Sequence, residues 1–273
     1  MNILENTAAI IDGWLDIEDI GTTSPHYVHK ASYLRICSDS ASPLPNSELV
    51  DELLNIVYPN WALARRRGSP ANWQWSHRLD FNRVPHQSPE TILERRFIAS
   101  VKQGWANQIP TSSGLIDARA DKKRNLDLVH KSANGHYTFY ELKVEDKHPL
   151  YAAIEVFLNG VIYLFSRTYA QELGYSPAAR PILGAQAIGL RVLAPISYYD
   201  PYNTRSLELA LCTQLETYCR ERYGRKLSMD FAFEAFPPHF DWGKYTGWET
   251  ELNVAEQRDL VEAFSGRQRV NQL

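Results

Sequence analysis

The sequence predicts an α/β fold with a mixed central sheet, its core running helix, three strands, helix, strand. Three observations predict it. Two strand-like runs, RNLDLVHKS (124–132) and HYTFYELKV (136–144), flank a turn containing Asn134-Gly135, the mark of an antiparallel hairpin. A long apolar helix after them, from about Pro149 to Leu173, can carry the chain back across the sheet. The next run, AIGLRVLAPISYY from Ala187, then joins as a parallel strand.

Taken in order, residues 1–86 read as an N-terminal lobe and 87–273 as the main domain with C-terminal additions. SPLPNSELVDELLNIVYP holds one helix, with Ser47 as N-cap, Glu48 and Asp51 in its first turn and Pro59 as the stop. WALARRRGSPANWQWSHR is rich in tryptophan and arginine, which suits either core filling or a stacking surface for bases. SPETILERRFIASVKQGW reads as a helix capped by Ser88, started by Pro89 and ended at Gly104. LIDARADKK (115–123) is the expected first strand of the three. The long helix closes at Gly174. Leu207, Leu211, Leu215 and Tyr218 recur at helical spacing, FAFEAF from Phe231 reads as a fifth strand, and Asn253 with Glu256 forms a capping box for a last helix.

Composition excludes several classes. Over 273 residues, 44% hydrophobic and 22% charged is the balance of a soluble globular chain. Cys37, Cys212 and Cys219 cannot all pair internally and show no CxxC, so reduced thiols and a cytoplasmic setting are expected and a zinc ribbon is not. The N-terminus lacks a basic, apolar leader pattern. The most apolar run, 151–165, falls short of the ~20 residues a bilayer needs and reads as a buried helix, so no membrane partner is expected. Net charge is −3, so contact with nucleic acid must use local patches: Arg65 to Arg67, Arg95 with Arg96, and Lys122, Lys123 and Arg124. A solvated face is the competing reading of each. The eight histidines are scattered, and G-x-S-x-G, P-loop and G-x-G-x-x-G motifs are absent from the sequence.

Strand alternation then isolates a set of charges. Tyr137, Phe139, Glu141 and Lys143 share one face of their strand, and Asp127 lies in the strand before it. If the two strands pair through the Asn-Gly turn, Asp127 and Glu141 meet across the ladder. Two such carboxylates repel unless a metal or an ammonium neutralises them. Projected at about 100° per residue, Glu94 falls on the apolar side of its helix and should look toward the sheet. Oxygen ligands without thiolates suit Mg²⁺ or Mn²⁺. The competing reading is an edge-strand ion pair between Glu141 and Lys143, with Asp127 capping a turn.

Glu94, then Asp127, then Glu141-Leu142-Lys143, on a helix and two successive strands, resembles the PD-(D/E)XK, or restriction-endonuclease-like, nuclease superfamily. The resemblance spans about residues 88–200 and implies an αβββαβ core and a metal-activated water that hydrolyses DNA, less often RNA. It implies Asp127 and Glu141 as metal ligands, Leu142 with them in the metal-binding segment, Glu94 as an auxiliary ligand and Lys143 as the catalytic lysine. Leu126 stands where the motif name has proline, which many members lack. Arg95, Arg96, Lys122, Lys123 and Arg124 would meet the phosphate backbone. Glu155, Asn159 and Tyr163 form a polar stripe on the long helix, with Glu155 and Tyr163 as supporting residues behind the site or, alternatively, the stripe facing solvent. The implied biology is restriction or phage defence, with a homodimer as the assembly for two-strand cleavage. The alternative is an inactive nucleic-acid or protein-binding module on the same fold.

Overall fold

A computed structural model of the chain describes residues 2–17, 25–37, 44–45, 48–79, 88–101, 103–117, 124–144, 148–176, 178–200, 203–247 and 251–272. Three helices come first: α1 (Thr7–Trp14), α2 (Lys30–Ile36) and α3 (Leu49–Ala64). Ser47 lies outside the described residues, and Pro59 does not end α3, which runs through it to Ala64. Proline costs a backbone hydrogen bond inside a helix. Tertiary contacts just beyond it offset that cost: Asn60 donates to the carbonyls of Ile3 and Glu5, and Trp61 packs edge-on against Phe165.

Helix α4 (Pro89–Ser100) starts as expected, with the Ser88 hydroxyl accepting from the Thr91 N–H, but it ends four residues before Gly104. The chain then enters β1 (Trp105–Pro110), followed by β2 (Asn125–Ala133) and β3 (His136–Leu142). The first strand is therefore not LIDARADKK, whose described residues, 115–117, are outside any strand. WANQIP carries Asn107 and Gln108 where alternation wants apolar side chains, which hid it from pattern reading; both are hydrogen-bonded to Glu94. At the β2–β3 turn Gly135 takes φ +77°, as an Asn-Gly hairpin requires.

Helix α5 (Pro149–Thr168) follows, then β4 (Ala187–Ala194), the single turn α6 (Ile196–Tyr199), α7 (Arg205–Tyr223), β5 (Ser228–Ala235), α8 (Val254–Ser265) and β6 (Gln268–Arg269). Pro195 closes β4, so the expected strand to Tyr199 ends in a helical turn instead. The capping box at Asn253 and Glu256 is formed.

The six strands lie in chain order in one mixed sheet. Pairs β1/β2 and β2/β3 are antiparallel, β3/β4 and β4/β5 parallel, and β5/β6 antiparallel. Helices cover both sides. On one, α5 presses so closely on β4 that a Cβ at Gly160 would come 2.6 Å from the Leu190 side chain. Residues of α1, α3 and α7 join the same core, so the N-terminal helices share it with the sheet. On the other side Leu93 and Phe97 of α4 and Leu260 and Phe264 of α8 pack on Leu128, Tyr140, Leu142 and Leu193. Among the described residues only α5 is long and apolar enough to cross a membrane, and it is almost wholly buried within the protein. All three cysteines are free thiols.

Candidate functional site

The carboxyl end of β3 carries the charges. Tyr137 and Phe139 turn into the α5-side core, and alternation sends Glu141 the same way, where it is only 8% exposed. Just past the strand, the Lys143 N–H donates to the Leu193 carbonyl (3.0 Å), which ties the segment to β4. Its Nζ donates to Glu141 Oε1 (2.7 Å) and to Glu155 Oε2 of α5 (3.0 Å), and it lies 5.8 Å from the centre of the Tyr151 ring. Leu128 pairs with Tyr140, and one further step in that register sets Asp127 opposite Glu141. Asp127 Oδ2 accepts the Leu142 N–H (3.0 Å), so the half-buried carboxylate is anchored to the backbone between Glu141 and Lys143.

Glu94 approaches from α4, 1% exposed. Each of its oxygens is held by an amide of β1: Asn107 Nδ2 to Oε1 and Gln108 Nε2 to Oε2, both 2.6 Å. Asn107 is itself locked to both backbone groups of Arg78. Gln108 holds φ +50°, a conformation that costs a non-glycine residue roughly 1–3 kcal/mol and is commonest at functional sites.

The acids disturb one another. Burial, then the like charges of Glu155 and Glu90, push the Asp127 carboxyl up to about 6, against the pull of Lys143 and the Leu142 N–H. Burial and then Asp127 hold both Glu94 and Glu141 well above the usual carboxylate range. Burial alone would lower Lys143, but Glu141, Glu155 and Asp127 outweigh it and raise it above an ordinary lysine. Three carboxylates, Asp127, Glu141 and Glu155, thus act on one lysine, while Glu94 feels Asp127 and is answered by Arg95. Negative charge is in surplus.

Comparisons with protein-family models, curated proteins and solved structures return no match. The chemistry of the site therefore rests on its own geometry.

Among the described residues no three His, Cys, Asp or Glu side chains converge as a ready-made metal cage. Asp127 and Glu141 nevertheless offer hard oxygens on adjacent strands. Mg²⁺ takes one or two carboxylates and keeps its waters, so this donor set fits such an ion in kind and number.

The remaining expected residues divide. Glu155 joins the site through Lys143. Tyr163 does not: its hydroxyl donates to the Ile182 carbonyl (3.2 Å), accepts from Arg167 (2.9 Å), and its ring packs on Trp73 and Phe139. It anchors the core. Asn159 is buried and accepts from the Thr111 hydroxyl (3.3 Å), so the stripe faces the protein rather than solvent. Arg96 is turned inward, its guanidinium donating to the Gly247 carbonyl, and is not presented to a phosphate chain. The Arg95 charge reaches Glu94. Arg124 is half-buried, and Lys122 and Lys123 lie outside the described residues. Of the tryptophans, Trp61 and Trp73 fill the core, while Trp75 is partly exposed.

Sequence reasoning missed Asn107, Gln108, Glu90, Tyr151 and Tyr198. Glu90 Oε1 accepts the Val144 N–H (3.4 Å) just beyond Lys143. Burial, with Glu155 next, raises Tyr151. The Tyr198 hydroxyl is hidden from solvent with no hydrogen-bond partner among the described residues, and the charges of Lys143, Glu141 and Glu155 act on it. Two amides in an otherwise apolar strand were the one signal the sequence offered.

Proposed function

We propose that this protein is a Mg²⁺- or Mn²⁺-dependent nuclease of the PD-(D/E)XK type that hydrolyses phosphodiester bonds of nucleic acid, with DNA as substrate and internal cleavage as the mode. The observation that carries the reading is the gathering of Asp127, Glu141 and Glu155 around one lysine, with Glu94 under the Asp127 charge from α4 and more negative charge than that lysine balances. The run α4-β1-β2-β3-α5-β4 supports it, since it follows the αβββαβ order that this family resemblance implies.

In this reading Asp127 and Glu141 hold the ion and Glu94 assists. When bound, the ion polarises the phosphodiester and lowers the pKa of the attacking water. Lys143 stays poised through its second bond, to Glu155, and orients that water or shields the developing charge. Tyr151 restrains the same ammonium from the side. Arg95, Arg124, Lys122 and Lys123 are the candidates for backbone contact, so binding should weaken steeply with salt. Restriction or phage defence in the cytoplasm, with paired active sites in a homodimer, is the biological setting that this chemistry suits.

Cleavage of supercoiled plasmid, linear duplex and single-stranded DNA with Mg²⁺ or Mn²⁺ tests the reading. Cutting by the wild type that Lys143→Ala and Asp127→Asn both abolish, with folding intact, supports it; equal cutting by the variants, or no cutting of any polymer, overturns it.

A second reading has its own observation. Lys143 already closes ion pairs with Glu141 and Glu155, and no ready-made metal cage exists among the described residues. Those features favour a catalytically inactive binding module whose charges serve the fold. Such a module binds nucleic acid or protein equally well with and without EDTA.

A further inference from the structure

We propose that Gln108 is a positioning residue that brings acids from the two faces of the sheet into one site, by holding the Glu94 carboxylate beside Asp127 for a divalent cation. The inference rests on the nuclease reading above.

The geometry begins with a change of phase. Trp105 and Ile109 are four residues apart, so a regular strand would send both to one face. Trp105 instead joins the core beneath α4 and α8, and Ile109 the core beneath α5. The neighbouring strand repeats the switch, with Leu128 in the first core and Leu126 in the second. Ladder pairing continues unshifted on either side, Asn107 with Leu128 and Ile109 with Leu126. Both switches therefore fall at one place, where Gln108, left out of the pairing, stands opposite Asp127.

The cause is local. Gln108 alone in β1 has positive φ, and that turn aims its amide at Glu94 next to the amide of Asn107. Its carbonyl oxygen meanwhile accepts from Asn125 of β2 (3.3 Å), so the side chain bridges Glu94 to the strand that carries Asp127. Glu94 belongs to the α4 face and Glu141 to the α5 face. A flat strand pair would leave the sheet between them. With the switch, Gln108 stands opposite Asp127 and grips Glu94, while Asp127 itself stands opposite Glu141 on the next strand. An unfavourable backbone at a residue that grips a buried carboxylate is the pattern of a site held ready for its ligand.

Glycine adopts positive φ freely, so Gln108→Gly keeps the backbone turn and deletes the amide. The test is calorimetric titration of Mn²⁺ into metal-free wild type, Gln108→Gly, Glu94→Gln and the double variant. Gln108→Gly should weaken Mn²⁺ binding about tenfold, as loss of a partner behind a metal ligand does, and should have no further effect once Glu94 is glutamine. Gln108→Asn, which tolerates the turn but is too short to reach Glu94, should repeat the result if the glycine variant fails to fold. Unchanged affinity, or equal weakening with and without Glu94, overturns the proposal. A wild type that takes up no Mn²⁺ overturns the nuclease reading itself, and this inference with it.

Discussion

Two charged clusters share this sheet, and they are built on opposite plans. On β4 and β5, Arg191 grips Asp230 (2.9 Å) and Glu234 (3.1 Å), Arg267 takes the other oxygen of Glu234 (3.0 Å), and Arg269 shares Asp230 (3.0 Å). Three guanidiniums answer two carboxylates. Arg267 also lies against Trp105 and Tyr140, so even its faces are used. At the end of β3 the arithmetic reverses, with three carboxylates, Asp127, Glu141 and Glu155, around one ammonium. In the first cluster every acid has a cation beside it. The second is left with like charges crowded together, which costs stability unless something positive arrives, and carboxyls perturbed in this way are candidates for a functional site.

The comparison is broken most sharply by Asp127→Asn. In the acid cluster this change should lower DNA cleavage by about 10³-fold, the several kcal/mol a lost metal ligand removes from the transition state, while the fold survives. Activity within tenfold of wild type would make the two clusters alike. In the balanced cluster, Arg191→Met should do the reverse. It leaves Asp230 and Glu234 short of a partner, so stability should fall by about 3 kcal/mol in chemical denaturation, with cleavage per folded molecule unchanged.

A pH series sharpens the same contrast. The Asp127 carboxyl is raised to about 6, above its unfolded value, so the folded state binds the extra proton and stability is lost as pH rises through the interval between them. Asp127→Asn should therefore be the more stable protein at pH 7, and its advantage should shrink as pH falls to 5. A gap that widens on acidification would contradict this assignment of the charge. The smallest effect belongs to Tyr163→Phe, which loses the bonds to Ile182 and Arg167. It should cost about 1 kcal/mol in thermal unfolding and leave metal binding untouched, since that hydroxyl is part of the core.

How far these features were legible follows from what each depends on. The hairpin around Asn134-Gly135, the capped starts of α4 and α8, and the meeting of Asp127, Glu141 and Lys143 all follow from local pattern, because alternation and turn chemistry operate within a few residues. Strand β1 was not legible. Its Asn107 and Gln108 are buried only because Glu94, on another element, receives them, and no window of sequence contains both sides of that bond. Pro59 fails as a helix stop for the same reason, since Trp61 is held by Phe165 more than a hundred residues away. Tyr163 fell on the expected helix stripe, yet 3.6-residue periodicity orders residues around an axis without saying where along the helix the site lies. Arg96 sits in a charged pair in sequence and points inward in space, a choice made by Gly247.

If the surplus of negative charge at the end of β3 is kept for a divalent cation, Mg²⁺ should stabilise the folded protein. Thermal unfolding of metal-free wild type and Asp127→Asn, each with and without Mg²⁺, tests it most directly. Binding to the folded state alone stabilises by about 2.7 kcal/mol at a hundredfold excess over the dissociation constant. The wild type should rise in Tm with Mg²⁺ and Asp127→Asn should not. A wild type indifferent to Mg²⁺, or a variant that gains as much, would contradict the account and leave the acids of β2 and β3 as part of the scaffold.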